Sequence, residues 1–254
     1  MKKMTIVCEL LHFKPRIWRR FEISDENSIQ DLMDTIMALF DMYGSHLYHL
    51  SLPIKVNEFT RAHRDERGKL TKNIPQKLFL SSVNIKPNMT ESKLNLGGFE
   101  FDNNLQDDFV EDYESYGENS NIYDIRNYEI DEDGNITYKG PERKANKKKI
   151  KKKDPLEPIN TLKLQTGDRM YFYYDYGDSW EIKLEVEKIE KIKEDEEIMI
   201  PKILRGRGAG IVEDIGGTYG LEMVFGDDPD FKIFDKEIAQ EYINDIFTDD
   251  GFFF

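Results

Sequence analysis

At 254 residues, with a formal net charge of −14 and 12% aromatic residues, the chain is long enough for one large domain and too aromatic to be disordered throughout. The acidic balance opposes non-specific phosphate binding, which needs a positive field, but leaves room for a local basic site or for an acidic surface that competes for a nucleic-acid groove. A single cysteine, Cys8, excludes an intramolecular disulfide and points to a reducing, cytoplasmic setting. No run approaches the ~20 apolar residues of a membrane span, and the amino-terminal stretch, broken by Glu9 and His12, makes a poor signal peptide.

Residues 5–13 mix Ile, Val, Leu and Phe with few breakers and predict a strand. Lys14-Pro15-Arg16 predicts a turn, because proline fixes φ and lacks a donor. Residues 17–23 predict a second strand, antiparallel to the first. Period two puts Ile17, Arg19, Phe21 and Ile23 on one face and Trp18, Arg20 and Glu22 on the other. Ser24 to Ser28 supplies helix-start chemistry, and Ile29, Leu32, Met33, Ile36 and Phe40 follow at helical spacing, so residues 28–43 predict a helix stopped at Gly44. Its apolar stripe should pack on the sheet. Residues 46–54 predict a third strand.

The character changes over residues 56–158, which are long and polar. Short strands are expected near 78–80 and 83–85. Between residues 100 and 133 acids dominate, among them Asp107, Asp108, Glu111 and Asp112. Asp133-Gly134 is a turn pair, and residues 136–138 close a small hairpin. A basic run follows, with Arg143, Lys144, Lys147, Lys148, Lys149, Lys151, Lys152 and Lys153, and Pro155 and Pro158 end the segment. Such a block reads first as a solvated loop neutralised by the acids before it. A nucleic-acid contact is the sharper alternative, but no aromatics interleave the lysines to stack on bases.

Strand character resumes at 161–164 and 169–176. Residues 180–192 alternate, with Ile182, Leu184 and Val186 opposed to Lys183, Glu185 and Glu187. A hairpin across Tyr176-Gly177-Asp178-Ser179 joins the last two segments. Residues 201–220 carry Gly206, Gly208, Gly210, Gly216, Gly217 and Gly220, a density that implies tight turns or close backbone approaches. This stretch lacks the Lys-Ser/Thr and the strand-then-helix frame of a phosphate loop. A short helix is expected at 218–225, and a last helix from Asp235 to about Phe247, with Ile238, Tyr242 and Ile246 on its stripe. Gly251 to Phe254 form an apolar tail, either docked or offered to a partner.

The expected fold is α+β: a mostly antiparallel sheet, one main packed helix, a C-terminal helix and a long polar insertion. The expected organisation is one domain with its core in 4–56 and 159–226, a charged insertion at 57–158, and the C-terminal helix and tail at 227–254.

Four carboxylates, Asp175, Asp178, Glu213 and Asp214, are candidates to converge on a Mg²⁺ ion for phosphoryl chemistry. The plainer reading has Asp175 and Asp178 accepting backbone bonds in the hairpin turn, and Glu213 and Asp214 capping a helix or pairing with Arg19 or Arg20. His46 and His49, three apart on one predicted strand, face opposite sides, so no metal ligand set and no cofactor are expected. Cys8 reads as a small buried hydrophobe. Trp18, Arg19 and Arg20 suit a binding face, or else an internal ion pair beside a core tryptophan.

Three blocks occur together. The first is Pro15-Arg16-Ile17-Trp18-Arg19-Arg20, followed after the helix by Ser45-His46-Leu47-Tyr48. The second is Tyr174-Asp175-Tyr176-Gly177-Asp178-Ser179-Trp180. The third runs from Gly206 to Glu213-Asp214 and on through Gly216-Gly217 and Tyr219-Gly220. In order and spacing they resemble the plasmid pRiA4b ORF-3-like family, insertion-element passenger proteins, over roughly residues 4–54 and 159–225. The resemblance implies an α+β domain and a mobile-element context. Where relatives often carry a histidine two residues after the hairpin tryptophan, this chain has Ile182. Where they often carry cysteine and paired prolines before the Glu-Asp pair, it has Ala209-Gly210-Ile211-Val212. Thiol- or histidine-dependent chemistry or metal binding in relatives is therefore not expected to carry over.

No complete catalytic motif is present. The expectation is a non-enzymatic protein-interaction module, regulating or inhibiting a nucleic-acid-processing protein through an acidic surface that includes Asp107, Asp108, Glu111 and Asp112. Its candidate motif surface comprises Trp18, Arg19, Arg20, His46, Asp175, Tyr176, Asp178, Trp180, Glu213 and Asp214. A metal-dependent hydrolase or nuclease, or nucleic-acid binding through residues 143–153, are the alternatives.

Overall fold

Met4, Ile6, Cys8 and Leu10 alternate along strand β1 (Lys2–Leu10) and are all buried. In β2 (Trp18–Ser24) the same period sends Arg19, Phe21 and Ile23 inward. A computed structural model of the chain describes residues 1–88, 91–94, 153–192, 200–226, 228, 231 and 233–248, with the backbone of two short strands at 128–130 and 136–138. The chain divides into two compact units, Met1–Phe99 with Lys152–Phe254, and Glu100–Lys151.

The first unit is α+β. Its sheet adds β3 (Tyr48–Leu52), β4 (Val83–Ile85), β7 (Arg169–Tyr174), β8 (Trp180–Lys191) and β9 (Lys202–Arg207). The seven strands run in the order β4-β3-β7-β8-β1-β2-β9, and each neighbouring pair is antiparallel. In the second unit β5 (Tyr128–Ile130) and β6 (Ile136–Tyr138) pair as the expected hairpin. Among the described residues no helix is long and apolar enough to cross a membrane.

Helix α1 (Ile29–Leu39) starts with a capping box. The Ser28 Oγ accepts from Asp31 N at 2.9 Å, and the Asp31 carboxylate accepts from Ser28 N at 2.9 Å. The helix is buried at every residue except Asp31, so it is covered on both sides and not along one stripe. It ends before Gly44. Asp41 takes the left-handed conformation (φ +57°), and Met42 N returns to Met37 O at 3.0 Å. An aspartate tolerates this conformation because its short polar chain bonds locally.

Other boundaries also differ from the sequence reading. Residues 46–54 are not one strand: β3 covers Tyr48–Leu52, and α2 (Ile54–Ala62) begins directly after Pro53. Only Val56, Asn57 and Thr60 of α2 are buried, so its polar sequence carries little helical signal. Its polar contacts position it. Asn57 donates to Arg169 O and accepts from Arg169 N, both at 2.9 Å, extending β7 as a strand would. Arg61 clasps the buried Asp168 with two nitrogens. The expected strands near 78–80 and at 161–164 are instead 3₁₀ turns, Gln76–Ser81 and Ile159–Leu162.

Helix α3 (Gly217–Phe225) follows the glycine-rich loop, and α4 (Lys236–Thr248) closes the described chain. Asp235 caps α4, accepting from Ile238 N at 3.0 Å. The buried stripe of α4 is Ile243 and Ile246, with Ala239 and Phe247 partly covered; Ile238 and Tyr242 are exposed. Gln240 of α4 lies along the outer edge of β9, accepting from Ile203 N at 2.7 Å and donating to Pro201 O at 3.0 Å. The sheet face away from the core carries ion pairs: Glu9 with Arg16 and Lys183, Lys3 with Glu22, Arg20 with Glu187, and Arg169 with Glu185.

Candidate functional site

The β7–β8 hairpin turn is shaped by Asp175. Its backbone is left-handed (φ +54°), and its Oδ1 accepts from Gly177 N at 2.9 Å and Asp178 N at 3.3 Å. This is the Asx turn that the sequence predicts. Ser179 N closes the turn on Asp175 O at 2.6 Å. The turn then meets the glycine-rich loop: Asp178 Oδ2 accepts from Gly216 N at 3.1 Å. Gly217 is left-handed (φ +68°), and a Cβ there would overlap the Asp178 carbonyl oxygen, so the approach requires glycine.

That docking gathers residues from distant parts of the chain. His46, in the loop before β3, has Nδ1 at 3.6 Å from Asp175 Oδ2. Its Nε2 lies 3.5 Å from Asp214 Oδ1 and 3.7 Å from Glu213 Oε2. The His46 ring stands edge-on to Tyr174, centroids 5.7 Å apart. Asp214 is also left-handed (φ +60°) and is exposed, whereas Asp175 and Glu213 are almost covered. Glu213 is held by Tyr43 N and Ser45 Oγ, each at 2.7 Å, and by the Tyr174 hydroxyl. Burial and the neighbouring Glu213 carboxylate push the Tyr174 hydroxyl above the usual phenol range.

One nitrogen of His46 and one oxygen each of Asp175 and Asp214 lie within 4.8 Å of one another, so these three residues could hold a metal ion. The sequence set of Asp175, Asp178, Glu213 and Asp214 is therefore corrected. Asp178 is spent on the Gly216 amide, Glu213 on three donors, and His46 joins. His46 and His49 do not share the strand expected at 46–54: His46 precedes β3 and His49 lies within it. His49 lies elsewhere, stacked on Tyr173 with centroids 4.9 Å apart and 2.8 Å from the Tyr176 hydroxyl. Burial, helped by Lys86, lowers its pKa to about 4.

Four expected surface residues, Trp18, Arg19, Arg20 and Trp180, are not at this site, and the Tyr176 hydroxyl meets His49 instead. Trp180 is a fully buried core residue, and Arg19 is 1% exposed. Arg19 pairs with no carboxylate of the second or third block. It donates to three backbone carbonyls, Leu39 O at 2.9 Å, Arg207 O at 2.8 Å and Trp18 O at 3.1 Å. Its guanidinium lies 4.0 Å from the Phe234 ring centroid and 5.1 Å from that of Phe40. Burial lowers its pKa to about 10, partly opposed by Cys8 and Asp41. Arg20 is on the outer face with Glu187 at 2.8 Å and over Trp18 at 5.6 Å. Asp107, Asp108, Glu111, Asp112, Lys147, Lys148, Lys149, Lys151 and Lys152 lie outside the described residues. Lys153 pairs with Glu157 at 3.0 Å.

The family model for plasmid pRiA4b ORF-3-like proteins matches residues 2–230. The chain belongs to that family. The ORF-3-like match takes in all three sequence blocks, and the contacts above show why they travel together: Ser45 and His46 come from the first, Tyr174 and Asp175 from the second, and Glu213 and Asp214 from the third. Ser45 and Tyr174 were legible as members of these blocks, although sequence reasoning did not single them out. No curated protein matches this ORF-3-like chain. Among solved structures, it is similar to a protein of unknown function, MM3350 from Methanosarcina mazei Go1, with 20% identity and a TM-score of 0.48 over 93% of this chain and 95% of that one.

Proposed function

We propose that this ORF-3-like chain is a non-enzymatic protein-interaction module of a mobile genetic element, and that it meets its partner through the outward face of α3. One observation carries this reading. Helix α3 is apolar on two sides, with Leu221 and Phe225 turned to the core and Tyr219 and Met223, one turn apart, 73% and 69% exposed. A helix needs one apolar face to pack; a second one left in water marks a contact surface. Tyrosine is enriched among the residues that dominate interface energies. The net charge of −14 favours a protein partner over direct nucleic-acid binding, and a basic, nucleic-acid-processing enzyme suits it by charge.

A photo-crosslinking residue at position 219 tests this in the native host, with the same residue at exposed Lys163 as the reference. The expected result is a discrete adduct at 219 that disappears when Met223→Asp is added. Identical adduct patterns at both positions would refute the assignment of α3.

A further inference from the structure

We propose that His46, Asp175 and Asp214 form a binding site for one divalent transition-metal ion of the zinc type. This inference does not depend on the α3 interface. The separations carry it. His46 nitrogens stand 3.5–3.7 Å from three carboxylate oxygens, too far for good hydrogen bonds. Only one ring nitrogen can serve a given ion, and one nitrogen of His46 and one oxygen each of Asp175 and Asp214 lie within 4.8 Å of one another, a small side-chain adjustment from the about 3.4 Å that metal–ligand bonds of ~2.1 Å set between tetrahedral ligand atoms.

A second observation points the same way. The Asp175 side chain is nine-tenths covered, and its Oδ1 is used by two turn amides while its Oδ2 faces His46. A covered carboxylate oxygen aimed at an imidazole, with a further acid at 3.5 Å from that ring, concentrates negative charge that a bound cation neutralises. Glu213, whose oxygens are taken by Tyr43, Ser45 and Tyr174, lies 3.7 Å from His46 Nε2 and adds to this negative charge without being a ligand.

The donor set selects the ion. Imidazole favours Zn²⁺ and its neighbours, whereas Mg²⁺ prefers oxygen and holds its waters. Three protein ligands leave a coordination position for water, and the 81% exposure of Asp214 leaves that side open. The ion would also tie together three segments, the loop before β3, the hairpin turn and the glycine-rich loop.

The experiment titrates the chelator-treated full chain with Zn²⁺ by calorimetry and with Co²⁺ by visible absorption. The expected result is one equivalent of Zn²⁺, tetrahedral Co²⁺ bands, and at least a tenfold weakening in both His46→Gln and Asp214→Asn. Asp214 is so exposed that its variant should fold normally, verified by metal-free melting. Glu237→Gln, at an exposed position on α4, should bind as the parent does. Tenfold excess Mg²⁺ should not displace the Zn²⁺. Absence of saturable binding, binding undiminished in the two variants, or equal competition by Mg²⁺ would each overturn the proposal.

Discussion

Replacing Arg19 separates the cost of a buried charge from the value of its hydrogen bonds. Burial lowers the Arg19 pKa from its usual 12.5 to about 10, which is roughly 3 kcal/mol against the charged form. Against this stand bonds to Leu39 O, Arg207 O and Trp18 O, each worth about 1.5–3 kcal/mol for a charged donor, and two aromatic faces worth about 0.5–2 kcal/mol more. The bonds therefore exceed the charge penalty. Arg19→Met removes both the penalty and the bonds and should cost about 3 kcal/mol. Arg19→Lys keeps a buried charge, but a single ammonium cannot reach carbonyls on three segments or lie flat between rings. It should cost about 4 kcal/mol, at least as much as methionine, and lower Tm by roughly 8–16 °C at this chain length. Urea unfolding of the three proteins, followed by tryptophan fluorescence, reads this directly. A lysine variant within about 1 kcal/mol of the parent would show that the carbonyl fork is not what holds β2, β9 and the end of α1 together.

Three further outcomes follow from individual residues. Gly217→Ala, with a left-handed backbone and the Asp178 carbonyl in the way, should destabilise by about 2–3 kcal/mol, whereas Gly216→Ala, left-handed but facing open space, should cost only about 1 kcal/mol; equal melting temperatures would contradict the close approach. Asp34 accepts from Gln30, Ser92 and Lys93 N, yet burial still raises its pKa to about 6. The folded state then holds this proton more tightly than the unfolded chain, so Asp34's contribution is greatest below about pH 4 and is lost as pH rises through 6. Comparing urea midpoints of the parent and Asp34→Asn from pH 4 to 7 should show the gap moving in the asparagine's favour, and a gap independent of pH would refute it. Cys8 is buried, and burial pushes its thiol up to about 12. An aromatic disulfide reagent should label it only after unfolding, and prompt labelling of native protein would disprove its enclosure.

The sheet was readable because its signals are local. Ile182, Leu184 and Val186 alternate in β8 as the sequence shows, and Ser28 with Asp31 announces α1 within four residues. The same locality explains the misreadings. Helix α4 has apolar residues on more than one side, so period alone chose Ile238, Tyr242 and Ile246, of which the covering surface kept Ile246 and added Ile243. Helix α2 buries Asn57 and docks through Arg61, and such contacts leave no hydrophobic period. The face of Arg19 was legible but not its partners, because carbonyls at Leu39 and Arg207 have no side-chain signature. His46 and Asp214 are joined by folding across most of the chain, and no spacing rule spans that distance. What the sequence did carry was the company kept by the three blocks.

Gln240 has a consequence for life in a crowded solution. The last strand of an open sheet presents unsatisfied amides and carbonyls, a template on which another molecule can polymerise. By accepting from Ile203 N and donating to Pro201 O, one glutamine amide occupies this template as a surrogate peptide group. At the opposite margin β4 has only three residues, too few to recruit a stranger. Among the described residues, one border thus has its first outward groups occupied by a side chain, and the other is kept short.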